Sequence, residues 1–177
     1  ASSGGLSGTL NGKKYGFQQT TTDSESVYKD SEIDAVVITT RHNTHAELVI
    51  KAIENDKHVF VEKPLALTLD ELDAIRSTIT KHPSSMLMVG FNRRFSPFVI
   101  KMKELLSAAN SPVSMVMTVT AGAIPIDNWI QDLAVGGGRI VGEACHFIDL
   151  FCHLAGLHIA NYQRISMDSS TNDTVTL

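Results

Sequence analysis

Cysteine, basic charge and long apolar runs are all scarce in this chain, and each shortage excludes a class of protein. Two cysteines in 177 residues are too few for a disulfide-stapled scaffold. Cys145 and Cys152 fall on one expected helix, roughly 10 Å apart, which is beyond disulfide reach. They read as buried free thiols of a reducing compartment. No apolar run approaches the ~20 residues that a membrane span requires, and no charged segment leads into an apolar one as in a secretory signal. The expected location is therefore the cytoplasm, with no membrane partner. Fifteen Lys and Arg against 19 Asp and Glu leave a net charge of −4. Nothing basic clusters, so nucleic acid is not an expected partner.

What is present is globular, with 43% hydrophobic and 19% charged residues, enough to fill a core rather than stay disordered. Neither end reads as a natural terminus. Ala1-Ser2-Ser3-Gly4-Gly5 opens loop-like without an initiator Met, and Thr174-Val175-Thr176-Leu177 alternates like a strand only begun.

Along the chain, residues 1–24 are rich in Gly, Ser, Thr and Gln and suggest one helical turn. Ile33 to Thr39 is a continuous β-rich run, as expected of a strand buried on both faces. Thr44-His45-Ala46-Glu47 fits a capping box opening a helix with Ala46, Val49, Ile50 and Ile53 inward. His58 to Val61 is a second strand, stopped at Pro64. Thr68-Leu69-Asp70-Glu71 is a second capping box, with Leu69, Leu72, Ile75 and Ile79 expected inward. Met86 to Val89 is a third strand, and Ser96-Pro97 starts a helix running to Leu106. Alternating strand and helix predicts a parallel α/β sheet. The pattern changes near Asn110-Ser111-Pro112. Val113 to Thr120 alternates as a longer strand, a loop holds Pro125 and Trp129, and Gly136-Gly137-Gly138 reads as a flexible entry to a helix from Ile140 to Leu154. A strand near Tyr162–Met167 completes an α+β second part. The expected division is 1–110 and 111–177.

Ligands of open parallel sheets bind beyond the carboxyl ends of the strands. Three segments fall there: Thr39-Thr40-Arg41-His42, Glu62-Lys63-Pro64 and Gly90-Phe91-Asn92-Arg93-Arg94. Lys63, directly before a proline, sits on a restricted backbone and could give a fixed positive charge and a proton donor. Taken alone, it is equally a lysine on a surface turn. The helix after the glycines is more specific. Glu143, His146, Asp149 and His153 form a polar stripe on an otherwise apolar helix, costly unless the groups line a cavity or pair with one another. A site wall, with His146 as acid–base and Asp149 orienting it, is favoured over an internal hydrogen-bonded ladder. Glu143-x-x-His146 also has the spacing of carboxylate di-iron bundles, but those need a second such helix and none is found, so no metal is expected. Gly4, Gly5 and Gly8 have no preceding strand to make them a phosphate loop.

At these residues the chain resembles the Gfo/Idh/MocA family of oxidoreductases. The resemblance rests on Asp34 to Thr39, His45-Ala46-Glu47, Lys57 to Pro64 with its Glu-Lys-Pro turn, Gly90 to Pro97, and Trp129 through Gly136-Gly137-Gly138 to His146-Phe147-Ile148-Asp149. It implies a partial Rossmann-like domain binding NAD or NADP, lacking its glycine loop, followed by a partial α+β domain for substrate and oligomerisation. It implies that Lys63 touches nicotinamide and the substrate hydroxyl, and that His146 is the acid–base with Asp149 nearby. Thr39, Thr40, Arg41, His45, Glu62, Pro64, Asn92 and Arg93 would line the cofactor cleft. Trp129 and Glu143 would join Lys63, His146 and Asp149 around the substrate. The implied activity is hydride transfer between nicotinamide and a sugar, polyol or sugar derivative, in a homo-oligomer formed through the second-domain sheet. The alternatives are a non-catalytic dinucleotide-binding regulator or a structural fragment of a larger protein. The isolated chain is expected to be inactive and to bind NAD(H) weakly, because the glycine loop that holds the pyrophosphate is not in it. Two positions depart from the family pattern: Arg41 stands where a Pro is usual, and Gly142 where an Asp is usual, with Glu143 beside it.

Overall fold

The computed structural model describes residues 1–109, 111, 113–166, 168–169, 171 and 174–176. Asn110 and Pro112 of the expected boundary, and Met167 and Leu177 at the ends of two expected strands, lie outside the described residues. Three short strands, β1 (Ala35–Ile38), β2 (His58–Val61) and β3 (Leu87–Val89), form a parallel sheet in the order β1-β2-β3. The register aligns Ile38 with Val61 and Val61 with Val89. Helix α3 (His45–Glu54) crosses from β1 to β2, and α4 (Leu69–Lys81) from β2 to β3. Helices α1 (Gly5–Tyr15) and α2 (Ser24–Lys29) precede the sheet, and α5 (Pro97–Ala109) follows it. A π-helical segment, Ile140–Ala144, runs straight into α6 (Cys145–Ala155). Two short strands, β4 (Ile165–Ser166) and β5 (Val175–Thr176), pair antiparallel. The architecture is α/β: a partial Rossmann-like sheet followed by a smaller α+β part.

The strands advance in one direction across the sheet, so right-handed crossovers place α3 and α4 on one face. They cover Ile38, Val59 and Val61, which with Ala46, Val49, Ala52, Ile53, Ile75 and Tyr28 make the main core. The other face is exposed. Val37, Phe60 and Met88 share one row across the sheet, and Val37 is 67% exposed. The expectation of a β1 buried on both faces is thus corrected: one face is covered. Ile53, fully buried on α3, tests the core. Ile53→Ala should cost about 2–5 kcal/mol, read as a lower urea midpoint, and an unchanged midpoint would contradict this packing.

Other local readings divide cleanly. The Thr68 capping box forms, with Thr68 accepting from Glu71 N and the Glu71 carboxylate accepting from Thr68 N. Leu69 and Leu72 nevertheless point outward, because only the Ile75 and Thr78 face of α4 reaches the core. The Thr44 box does not form. A 3₁₀ turn, His42–Thr44, precedes α3 and puts Thr44 in helical backbone, where its hydroxyl donates to Arg41 O at 2.8 Å. Helix α1 is longer than the single turn expected, and is closed by Gly16 at φ 70°.

Beyond the sheet, Val99 of α5 and Leu150 and Leu154 of α6 form a second core, flanked by Leu106, Met115 and Met117. The alternation over 113–120 is real, with Met115 and Met117 half-buried and Val116 93% exposed. No ladder forms there among the described residues, so the expected strand is an extended segment: its backbone has no partner to pair with. Cys145 and Cys152 are free, and burial pushes the Cys145 thiol up. Among the described residues no helix is long and apolar enough to cross a membrane.

Candidate active site

Because the three strands are parallel, their carboxyl ends open on one edge of the sheet. After β1 come Thr39, Thr40 and Arg41, all exposed; after β2, the half-buried Glu62 and Lys63 and the buried Pro64; after β3, Gly90, Phe91 and the 3₁₀ turn Asn92–Phe95. A Cβ on Gly90 would meet the Glu62 carboxylate at 3.2 Å, so the glycine makes room for Glu62.

The start of α6 sits against this edge and is tied to it from each strand end. Lys63 Nζ donates to Gly142 O at 2.7 Å. His42 Nδ1 donates to Gly136 O at 2.8 Å, and Asn43 N to Val135 O at 3.0 Å. Arg94 Nε donates to Asp149 Oδ2 at 2.7 Å, and Arg94 Nη2 to Asp149 Oδ1. Arg93 lies over the Phe147 ring at 4.7 Å, and Phe91 stands edge-on to His146 at 6.2 Å between ring centres. The sheet edge and the start of α6 are thus held against each other, and the charge of Lys63 acts on His146.

The glycine run is a fixed turn, not the flexible entry expected. Gly136 N and Gly137 N donate to Asp132 O, and Gly138 N to Ile130 O, at 2.7 to 3.1 Å. Gly137 and Gly138 have φ of 76° and 71°, which favours glycine. Their N–H groups point into the turn, so it is no anion cradle.

The π segment that follows carries Gly142. A side chain at 142 would meet His42 Cε1 at 3.1 Å and Gly136 O at 3.3 Å. Such a side chain would press on His42, which would have to give by a few tenths of an ångström. Glu143 does not replace the Asp usual at this position: Arg139, one turn earlier, holds its carboxylate at 2.8 and 2.9 Å. Trp129 is pinned between the His42 ring edge, at 4.8 Å, and the Arg41 guanidinium, at 5.7 Å.

His146 is buried, and among the described residues its Nδ1 has no hydrogen-bond partner. Asp149 is therefore not its orienting partner; it is committed to Arg94. Burial first, then the positive charges of Lys63 and Arg93, push the His146 imidazole below its usual range. Burial also lowers His42, with Lys63 and His45 adding to it against the Gly136 hydrogen bond. His45 lies beneath the strand-end row rather than in it. Its ring is fully buried, with Nδ1 at 2.7 Å from Pro64 O and Nε2 at 3.0 Å from Thr40 O, so no ring atom is left for a ligand.

Neutral forms of His42 and His146 favoured by the fold give a signed expectation. The unfolded chain binds those protons near pH ~6.5, so stability is fully present above that value and is lost as pH falls through the lower folded values. Their share of the urea midpoint, read as the difference between the chain and its His42→Gln/His146→Gln double variant, should fall between about pH 7.5 and 5.5. A difference that does not change with pH would contradict the burial of both rings.

Proteins similar to this chain in sequence and in fold are known. Residues 9–91 match the model of the oxidoreductase family with an NAD-binding Rossmann fold. The chain is 32% identical to a myo-inositol 2-dehydrogenase of Thermotoga maritima, over 81% of this chain and 42% of that protein. It is 33% identical to a scyllo-inositol 2-dehydrogenase (NAD(+)) of Bacillus subtilis, over 84% and 43%. The fold is similar to that of a levoglucosan dehydrogenase solved with NADH and levoglucosan: TM-score 0.73, 27% identity, 88% of this chain and 44% of that one. The chain is similar to the Gfo/Idh/MocA oxidoreductases, whose NAD-binding Rossmann model residues 9–91 match. It spans less than half the length of these relatives.

Arg94 and His42 are the site residues that spacing does not single out. Arg94 stands beside Arg93 in one turn, and only the path of that turn decides which of the two meets α6. His42 lies in a strand-end segment, but its partner at Gly136 is set by the docking of the second part.

Proposed function

We propose that this chain carries the nicotinamide-side and substrate-side chemistry of an NAD(P)-dependent dehydrogenase of a sugar, polyol or sugar derivative. The observation that carries the reading is the contact of Lys63 Nζ with Gly142 O, which sets a strand-end lysine against the helix bearing His146. The residues suit a nicotinamide and an alcohol. Among the described residues Lys63 forms no ion pair, so its charge is free for a developing oxyanion, and the unpartnered Nδ1 of His146 belongs to a ring held ready to accept a proton. Bound nicotinamide supplies the hydride acceptor or donor at its C4. His146 takes the substrate hydroxyl proton during alcohol oxidation and returns it in reduction. Lys63 holds the same oxygen and stabilises the alkoxide as it forms. Arg94 and Asp149 fix α6, and so the angle at which His146 meets the cleft. Thr39, Thr40, Arg41, Glu62, Pro64, Asn92 and Arg93 form the cofactor rim, and Trp129 lies toward the substrate.

The inositol and levoglucosan dehydrogenases among its relatives support a cyclic polyol or anhydrosugar as substrate. Residues 1–110 are taken as the cofactor half and 111–177 as the substrate and oligomer half of a cytoplasmic homo-oligomer. The test is reduction of NAD⁺ or NADP⁺ by the full-length protein with a panel of inositols, aldoses and anhydrosugars. Growth of reduced-nicotinamide absorbance with at least one of them is expected. A protein that binds NADH yet oxidises none of them would overturn the reading.

A further inference from the structure

His45 is fully buried, yet it is neither a core hydrophobe nor a ligand-facing group. It is the first residue of α3, and its two ring nitrogens face two backbone carbonyls. Nδ1 is 2.7 Å from Pro64 O, and Nε2 is 3.0 Å from Thr40 O. Those carbonyls belong to the segments leaving β2 and β1. The last ladder bond between these strands is Glu62 N to Ile38 O at 2.9 Å. Beyond it the two chains part, and the His45 ring spans the gap.

We propose that His45 is a positioning residue: its ring, with a proton on both nitrogens, ties the ends of β1 and β2 together and thereby sets where Lys63 stands. The proposal rests on the catalytic reading of Lys63 given above. A carbonyl oxygen only accepts, and a neutral imidazole donates from one nitrogen alone. A neutral ring here would aim a lone pair at a carbonyl with no water to intervene. Both separations lie within hydrogen-bond range, and the shorter one is typical of a charge-assisted bond. The tie acts one residue from the site. With the Pro64 carbonyl turned down to His45, the Lys63 side chain is left to run toward the cleft, where Nζ reaches Gly142 O. The titratable neighbours are His42, 5.7 Å away ring to ring, and Lys63 itself.

Two readouts test this. Long-range ¹H–¹⁵N correlation spectra of the 177-residue chain at neutral pH, assigned by comparison with a His45→Gln variant, should show both His45 ring nitrogens as N–H type. One N–H and one bare nitrogen would overturn the double tie. In the full-length protein, His45→Gln should lower kcat by ~10-fold or more while the NADH dissociation constant stays within about twofold. An unchanged kcat in a folded variant would overturn the positioning role. The spectrum needs neither substrate nor cofactor. Two N–H signals together with a Lys63→Ala variant of unchanged kcat would therefore locate the failure in the catalytic reading of Lys63, and with it the positioning role, while the ring bridge stands.

Discussion

Lys63→Ala in the full-length protein is expected to lower kcat by ~10²-fold or more, with cofactor affinity changed only a few-fold. Lys63 leaves β2 on a turn whose carbonyl is anchored by His45, and its ammonium rests on Gly142 O beside the His146 helix. A carbonyl is a weak partner for an ammonium, one that a substrate oxygen gaining negative charge can outcompete. The stabilisation is therefore greatest in the transition state, which lowers kcat rather than raising KM when it is lost. Lys63→Arg keeps the charge but replaces a compact donor with a planar fork, and should recover little of the activity. Steady-state kinetics with a direct NADH titration checks both. An alanine variant with wild-type kcat would remove Lys63 from the chemistry.

His146→Asn is expected to cost a similar ~10²-fold, and also to change the shape of the pH profile. The wild-type ring must be neutral to accept the substrate proton, and its burial beside Lys63 and Arg93 lowers it below the usual imidazole range. In the alcohol-oxidation direction kcat/KM should therefore fall on the acid side, with its limb below ordinary histidine values. Asparagine fills much of the same space without taking the proton, so that limb should vanish. A variant that loses rate but keeps the acid limb would assign the limb to another group.

The layout of this site was open to reading along the chain because it depends on local rules. β-branched runs ending at Thr39, Glu62 and Gly90 mark strand ends, and parallel strands collect their ends on one edge, so the sequence sets Lys63 and Arg93 along that edge. The Thr68 box is equally local and forms as expected. What was not legible depends on docking. Asp149 was expected to orient His146, but the turn after β3 brings Arg94 to its carboxylate. His45 was assigned to the cofactor cleft, yet the 3₁₀ turn before α3 sinks it beneath the strand ends. Gly142 departs from the family pattern, and its close approach to His42 depends on the docking of the second part. Val113 to Thr120 alternates as a strand does, but a strand also needs a partner, and periodicity does not supply one.

The account's central claim is that Lys63 and His146, distant in sequence, act on one oxygen in one cleft. A double-mutant cycle on kcat/KM, comparing Lys63→Ala, His146→Asn and the combined variant in the full-length protein, tests it most directly. Groups that act as a unit lose most of their effect with the first change. The combined variant is therefore predicted to be little slower than the slower single variant. A combined loss equal to the product of the two single losses would show that the residues act independently, and would contradict the shared cleft.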